Sequence, residues 1–301
     1  MATTTGIGAK PETKTTAGPR RIAGLSQIAR NYDLILCDVW GVVHNGRAAW
    51  PMTTDALARF RAGGGIVILI TNAPRQRRSV LRQLSILGVP EEAFDGIVTS
   101  GDVTRDLIRR APRKLFHLGP ARDGNLFEDI DCERVGEELA DAVVCSGLFD
   151  DQTETPADYG PILARFAARN LVMICANPDI VVEMGDRLVW CAGALARDYA
   201  ALGGRTEIAG KPYRPIYEAA IAFAETLRGA KIEGNRILAI GDGVPTDIAG
   251  AREFGIDAVY VAAGIHAAEY GDADDPDESR LAEFLARENA SPAYWLPRLA
   301  W

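Results

Sequence analysis

The sequence lacks any apolar run long enough to cross a bilayer. The longest near-continuous one, residues 66–70, has the length of a buried strand, whereas a spanning helix needs roughly 18 apolar residues. It also lacks a Lys/Arg-rich stripe, and its 33 basic against 41 acidic residues give a formal net charge of −8. Because nucleic-acid binding needs clustered positive charge, these absences argue against nucleic acid and membrane as partners.

Cysteine is scarce and shows no paired pattern. The five cysteines form no CxxC motif, and Cys37 and Cys175 lie inside apolar runs, which indicates reduced thiols and predicts a cytoplasmic location. The first 20 residues contain no apolar signal-peptide core. We therefore expect a mobile tail over residues 1–20, with the fold beginning near Ile22.

Short apolar runs alternate with helical patterns from Leu34 onward, which is typical of an α/β fold around a parallel, Rossmann-like sheet. The strands are predicted at residues 34–37, 66–70, 237–240 and 258–261. The helices are predicted at residues 54–61, 76–87, 216–227 and 246–254. The C-terminal residues 291–295 are too interrupted by proline for a prediction.

A second series of strand-like runs lies between these two blocks. It comprises residues 114–118, 142–145, 171–175 and 187–190, together with a helix at residues 159–169. The segment of about 95 residues is long enough to bury a core of its own. We therefore predict a core domain split into residues 21–111 and 208–301, with an inserted α/β cap domain at residues 112–207, hereafter the insert.

Polar residues follow three of the predicted strands, and a lysine precedes a predicted helix. They are Asp38, Thr71, Asn72, Lys211, Asp242 and Asp247. Ligands of open parallel sheets bind beyond the carboxyl ends of the strands, so these side chains are expected to converge.

This set of side chains suits phosphoryl transfer. Paired Asp oxygens can hold Mg²⁺, while the amides after Thr71 and the Lys211 ammonium balance phosphoryl charge. A carboxylate can also act as the nucleophile and form an aspartyl-phosphate.

Four segments carry a resemblance to a known family. They are DVWGVVHNG at residues 38–46, TNAPR at 71–75, GKP at 210–212 and GDGVPTDI at 241–248. In order and spacing they resemble the motifs of the haloacid dehalogenase superfamily. The insert, with NPD at 177–179 and GAL at 193–195, is similar to the cap of the class IIA branch, which includes p-nitrophenyl-phosphatase-like, pyridoxal-phosphate-phosphatase-like and N-acetylglucosamine-operon phosphatases.

The resemblance implies a role for each matching residue. Asp38 would be the nucleophile and a Mg²⁺ ligand, with Asp242, Asp247 and the backbone carbonyl of Trp40 completing the metal site. Lys211 would orient Asp38 and neutralise charge. Thr71, Asn72, Gly41, the Trp40 side chain and Lys211 would bind the substrate and its phosphoryl group. The implied substrate is a small phosphorylated metabolite, chosen by the cap, and the resemblance also implies a homodimer.

One residue departs from the family pattern. Phosphatases of this family carry a second Asp two residues after the nucleophile, which protonates the leaving oxygen, and here that residue is Trp40. A positioned general acid contributes roughly 10² to 10⁴ in rate. Three explanations stay open: a good leaving group, substitution by another residue such as His44, or a protein that binds a phosphorylated ligand with little or no turnover.

Two other chemistries fit these residues less well. Dehalogenation by the same fold needs no metal, and the retention of Asp242, Asp247 and Lys211 argues against it. The segment at residues 241–243 also resembles the start of a dinucleotide-binding motif, but Thr246 occupies the position of its third glycine.

Overall fold

The structure is a computed structural model that describes residues 18–184 and 187–301. Its strands are β1 (Arg20–Arg21), β2 (Leu34–Asp38), β3 (Ile66–Thr71), β4 (Gly96–Thr99), β5 (Lys114–Leu118), β6 (Glu133–Arg134), β7 (Ala142–Cys145), β8 (Val172–Cys175), β9 (Val181–Met184), β10 (Arg187–Trp190), β11 (Arg205–Ile208), β12 (Ile237–Gly241), β13 (Asp257–Val261) and β14 (Tyr294–Leu296). Its α-helices are α1 (Pro51–Ala62), α2 (Arg77–Ile86), α3 (Ser100–Arg110), α4 (Gly160–Ala168), α5 (Ala192–Ala201), α6 (Arg214–Arg228), α7 (Ala249–Phe254) and α8 (Glu278–Arg287).

The larger sheet has seven parallel strands in the order β1-β14-β13-β12-β2-β3-β4. Alternate residues of β2 face opposite sides of this sheet. Leu36 packs in the core that contains Ile216 of α6, whereas Ile35 packs in the core that contains Leu57 of α1. Since both faces are buried, the strand reads as a continuous apolar run, which explains why the sequence predicts it well.

The smaller sheet has five parallel strands in the order β11-β8-β7-β5-β6, drawn from residues 114–208. Helices α4 and α5 cover one face, with Phe166 and Leu195 in the core between them and the sheet. Ile108 of α3 packs on the other face. The predicted α/β class with a parallel Rossmann-like sheet and a second sheet is therefore confirmed, while the domain boundaries drawn from the sequence stay a prediction.

Several sequence-based bounds need correction. Arg20 and Arg21 pair with β14, so β1 begins at Arg20, the last residue of the predicted tail. Residues 1–17 of that tail lie outside the described residues. The strand at residues 187–190 pairs only with β9, as an antiparallel ribbon, among the described strands. The C-terminal segment contributes β14, and the helix predicted at 246–254 begins instead with a π-helical turn at Val244–Ile248.

The apolar stripe predicted for α6 is correct except at its end. Ile216, Ala220 and Ala224 are buried, but Leu227 is exposed. All five cysteines are free thiols, as expected. Among the described residues, no helix is both long and apolar enough to pass through a membrane.

Candidate active site

Three neighbouring strands of the larger sheet bring their carboxyl ends together. Asp38 ends β2, Thr71 ends β3, and Asp242 follows β12 directly. Lys211 lies just before α6, and its peptide bond to Pro212 is cis. The side chains are all buried, so the predicted convergence at this edge of the sheet is what the structure shows.

Lys211 is the central cation of the site. Its Nζ donates to Asp38 Oδ1 and, at 2.7 Å, to Asp247 Oδ1, and the residue is only 2% exposed. Burial alone would lower the pKa of Lys211, but the negative charges of Asp247 and Asp38 outweigh it and hold the pKa well above its usual range. The ammonium therefore stays charged and fixes one oxygen of each carboxylate.

Three carboxylates lie close together around the Lys211 ammonium. Asp38, Asp242 and Asp247 each offer an oxygen, and these oxygens lie within 4.8 Å of one another. Burial, together with the charge of Asp247, raises the pKa of Asp242 to about 7. Burial also raises the pKa of Asp38 well above its usual range; Lys211 opposes this rise, and Asp247 and Asp242 add to it. With all groups ionised, three carboxylates and one ammonium leave a charge of −2 that no other side chain of this cluster offsets.

The donor set fits a divalent metal ion. Hard cations such as Mg²⁺ prefer carboxylate oxygens, and a divalent charge would match the excess negative charge of the cluster. Backbone groups orient two of the ligands: Ile265 N–H donates to Asp242 Oδ2 at 2.8 Å, and Gly243 N–H donates to Asp247 Oδ2 at 3.1 Å. The carboxylates are thus held in place by the protein itself.

Two glycines make room for Asp242. Gly41 has φ +84°, and a Cβ there would lie 2.3 Å from Asp242 Oδ2. A Cβ on Gly264 would lie 2.0 Å from the same oxygen. Gly41 was among the predicted site residues, whereas Gly264 and the Ile265 amide were missed. The only sequence signal for the latter two is their place after β13, at the same edge of the sheet.

Hydrogen bonds of Asn72 connect the site to the insert. Its Oδ1 accepts from Lys211 N–H at 2.7 Å, and its Nδ2 donates to Lys211 O at 3.2 Å and to Asp179 Oδ1 at 2.8 Å. Thr71 Oγ1 accepts from Ala73 N–H at 3.3 Å. Asp179, in the NPD segment of the insert, therefore lies against the predicted phosphoryl-binding segment.

Trp40 lies at the mouth of the site with a half-exposed ring. The ring packs edge-on against His44, with centroids 5.2 Å apart, and leaves no room for a Cβ on Gly46. His44 is buried and accepts from Gly46 N–H at Nδ1 over 3.0 Å. Burial lowers the pKa of His44, so its imidazole is neutral near pH 7 and a weak proton donor. This weakens the option that His44 replaces the missing acid.

Comparisons with known proteins show which proteins this chain is similar to. The family model for haloacid dehalogenase-like hydrolases matches residues 35–133, and that for HAD-hydrolase-like proteins matches residues 208–286. A crystal structure of a haloacid dehalogenase-like family hydrolase from Brucella suis 1330 is 51% identical, with a TM-score of 0.80, covering 94% of this chain and 100% of that one.

Two further relatives are more distant. The ribonucleotide monophosphatase NagD of Escherichia coli K12 is 25% identical over 236 residues, which are 77% of this chain and 88% of NagD. The structure of a glycerol phosphate phosphatase from Mycobacterium tuberculosis in complex with magnesium is also 25% identical, with a TM-score of 0.63, covering 89% of this chain and 76% of that one.

Proposed function

Since the chain belongs to the haloacid dehalogenase superfamily, in the class IIA branch that the sequence motifs indicate, we propose that it is a Mg²⁺-dependent phosphatase of a small phosphorylated metabolite. The observation that carries the proposal is the buried cluster in which Lys211 bridges Asp38 and Asp247 beside Asp242. The named relatives that hydrolyse phosphate esters support the same activity class.

Asp38, Asp242, Asp247 and the backbone carbonyl of Trp40 would hold the metal ion. When bound, Mg²⁺ supplies positive charge that stabilises the transferring phosphoryl group. The magnesium complex of the glycerol phosphate phosphatase supports the choice of this ion.

The chemistry begins with attack by Asp38 on phosphorus. Because Lys211 holds Oδ1, the other carboxylate oxygen is the one left to attack. A bond forms between that oxygen and phosphorus, the bond to the leaving oxygen breaks, and that oxygen departs with the electron pair. Water then displaces the phosphoryl group from Asp38, which regenerates the carboxylate and releases phosphate.

The remaining residues would bind the phosphoryl group and restrict which leaving groups react readily. Thr71, Asn72 and the backbone at Gly41 would bind the phosphoryl oxygens, and Lys211 would neutralise charge that develops on them. The Trp40 ring cannot supply a proton, and His44 is neutral and engaged with Gly46. We therefore expect acyl and aryl phosphates, whose leaving groups need little protonation, to react faster than simple alkyl phosphates.

A second candidate function rests on the presence of Trp40 where phosphatases of the family carry an acid. Without an acid beside Asp38, a protein of this fold can bind a phosphorylated ligand while turning it over slowly or not at all. Carbon–halogen hydrolysis is the less favoured alternative, because it gives no role to three clustered carboxylates.

One assay separates these functions. Purified protein is tested with Mg²⁺ and with EDTA for hydrolysis and calorimetric binding of acyl, aryl and alkyl phosphates, and for halide release from chloroacetate. Asp38→Asn is measured alongside the surface control Asp106→Asn, whose residue pairs with Arg109 on α3. We expect Mg²⁺-dependent hydrolysis of acetyl and p-nitrophenyl phosphate, lost in Asp38→Asn and kept in the control. Binding without turnover supports the second candidate, and metal-independent halide release supports the third.

A further inference from the structure

Two buried tyrosines form a hydrogen-bonded chain that ends on the loop after β13. Tyr260 Oη and Tyr270 Oη are 3.0 Å apart, and Tyr270 Oη lies 2.6 Å from the carbonyl oxygen of Ala262. All three residues are fully buried. Neither hydroxyl takes part in the proposed phosphoryl transfer. These two hydroxyls and the carbonyl are hereafter the tyrosine chain.

The hydrogen bonds of the tyrosine chain run in one direction. A carbonyl oxygen only accepts, so the Tyr270 hydroxyl donates its single proton to Ala262 O. The Tyr260 hydroxyl must then donate to Tyr270 Oη. Burial raises the pKa of Tyr270 to about 12, against the hydrogen bond from Tyr260 and with support from the negative charge of Asp242. The hydroxyl that holds Ala262 is therefore protonated, and able to donate, throughout the neutral range.

The turn after β13 carries the amide that holds Asp242. Ile265 N–H donates to Asp242 Oδ2 at 2.8 Å. Three residues earlier, Ala262 N–H donates to Leu296 O at 2.9 Å, which pairs the start of the turn with β14. The Ala262 carbonyl, which that bond does not use, accepts from Tyr270. The tyrosine chain therefore gives the start of the turn a side-chain anchor in addition to its pairing with β14.

The same turn lies in close contact with the Asp242 carboxylate. Gly264 directly precedes Ile265, and a Cβ on Gly264 would lie 2.0 Å from Asp242 Oδ2. Backbone and carboxylate thus touch at one residue and are hydrogen-bonded at the next. Any displacement of the turn is consequently passed on to the carboxylate.

Helix α8 fixes the position of Tyr270. The backbone N–H of Asp277, the residue before this helix, donates to Tyr270 O at 3.0 Å. The ring of Phe284, within the helix, packs edge-on against the Tyr270 ring, with centroids 5.6 Å apart. The Tyr270 hydroxyl is thus placed by an element outside the carboxylate cluster, so its bond to the turn is a fixed support.

We propose that Tyr270 is a positioning residue for the metal site, whose hydroxyl keeps the Ile265 amide directed at Asp242. The inference rests on the proposed function, since it takes Asp242 to be a ligand of the metal ion. Without the hydroxyl, the buried Ala262 carbonyl loses a donor, and an unpaired buried acceptor costs free energy. The turn then relaxes and holds Asp242 less firmly, which weakens the metal site. Tyr260 acts one step further away, because its removal leaves the bond from Tyr270 to Ala262 in place.

The test measures Mg²⁺ binding directly. Calorimetry gives the Kd for Mg²⁺ of the unaltered protein and of three variants, Tyr270→Phe, Tyr260→Phe and Tyr217→Phe. We expect the Kd to rise about tenfold in Tyr270→Phe and by less in Tyr260→Phe. Tyr217→Phe is the matched control, because Tyr217 is equally buried in the same core while its hydroxyl has no hydrogen-bond partner among the described residues. Its Kd is expected to equal that of the unaltered protein.

Kinetics separate positioning from a general loosening of the fold. In Tyr270→Phe the Mg²⁺ concentration that gives half the maximal rate on p-nitrophenyl phosphate is expected to rise about tenfold, while kcat at saturating Mg²⁺ stays unchanged. A substitution that only destabilises the core lowers the Tm in EDTA without shifting this Mg²⁺ concentration.

The outcomes separate this inference from the proposed function. A Kd that rises in Tyr270→Phe and stays level in Tyr217→Phe supports the inference. An unchanged Kd in Tyr270→Phe, or an equal rise in Tyr217→Phe, overturns it. Should Tyr270→Phe fail to fold, the same comparison is made with Tyr260→Phe, and an unchanged Kd there overturns the inference.

Hydrolysis of p-nitrophenyl phosphate by the unaltered protein judges the proposed function separately. Mg²⁺ binding without hydrolysis contradicts the proposed function and leaves the inference to be decided by the Kd values. An unaltered protein that binds no Mg²⁺ contradicts both.

Discussion

Replacing Asp242 by Asn is expected to stabilise the protein in EDTA while removing its metal binding. Asp242 is 6% exposed, and its pKa of about 7 lies roughly 3 units above the ordinary Asp value of 3.8. Each unit is about 1.4 kcal/mol, so ionised Asp242 costs the folded metal-free state about 4 kcal/mol above pH 7. Asparagine keeps an oxygen that can accept from Ile265 N–H but has no charge.

The sign of the pH dependence follows from the raised pKa. The folded state binds a proton at Asp242 more tightly than the unfolded state, so in EDTA the contribution of this group to stability is present below pH 4 and is lost as pH rises to about 7. The Asp242→Asn protein lacks this loss. At pH 8 it is therefore expected to be more stable by about 3 kcal/mol, after allowing about 1 kcal/mol for a weaker hydrogen bond.

Thermal unfolding checks this prediction. With an unfolding entropy of about 2.1 cal/mol/K per residue, 3 kcal/mol corresponds to about 5 °C in Tm for a chain of this length. In EDTA at pH 8 the variant should melt higher than the unaltered protein, and Mg²⁺ should raise the Tm of the unaltered protein only. A variant that melts lower in EDTA, or that gains as much Tm from Mg²⁺, would refute the reasoning that burial and the charge of Asp247 make ionised Asp242 costly in the metal-free protein.

Three further substitutions test neighbouring parts of the site. Lys211→Met leaves Asp38 and Asp247 buried without their cation, so the free energy of unfolding in EDTA should fall by about 3 kcal/mol and kcat should fall about 10²-fold. An unchanged free energy of unfolding contradicts the bridging role of Lys211. Gly41→Ala places a Cβ against Asp242 at a positive φ, so Mg²⁺ titration should show at least about tenfold weaker binding, and unchanged affinity argues against that contact. Trp40→Asp should speed alkyl phosphate hydrolysis by about 10²-fold with little gain on acetyl phosphate; an equal or lower alkyl rate shows that a missing acid does not limit turnover.

The sequence located the strand ends of the larger sheet better than it located the strand pairing within the insert. Asp38 and Asp242 follow fully buried strands, and such strands read as unbroken apolar runs whose ends are easy to locate. The position of Thr71 follows from the same sheet order, and the convergence of these strand-end residues needed only the rule that ligands meet the carboxyl ends of parallel strands. Lys211 instead follows β11 of the smaller sheet, and the sequence located it by its place before a predicted helix.

What the sequence could not predict depends on contacts between distant segments. The pairing of β10 with β9 and the strand β14 lie in short or proline-interrupted stretches with no clear period. Asp179 reaches Asn72 across 107 residues of chain, and Gly264 is needed only because Asp242 occupies the space beside it. These contacts between distant segments are properties of the packed structure, so no local sequence pattern predicts them.

The neutral state of His44 also emerged only from the structure. A histidine six residues after the nucleophile is a reasonable substitute acid from sequence alone. Its burial and the hydrogen bond from Gly46 N–H instead make it a fixed support for the Trp40 ring.

Hydrolysis through an aspartyl-phosphate requires that Asp38 itself becomes phosphorylated. The direct measurement is mass spectrometry of peptides from protein that is acid-quenched within one turnover of acetyl or p-nitrophenyl phosphate in Mg²⁺. A phosphoryl group on the peptide that contains Asp38, absent from the Asp38→Asn protein, is the result expected here. Turnover that leaves this peptide unmodified, or that phosphorylates another residue instead, would contradict the proposed mechanism.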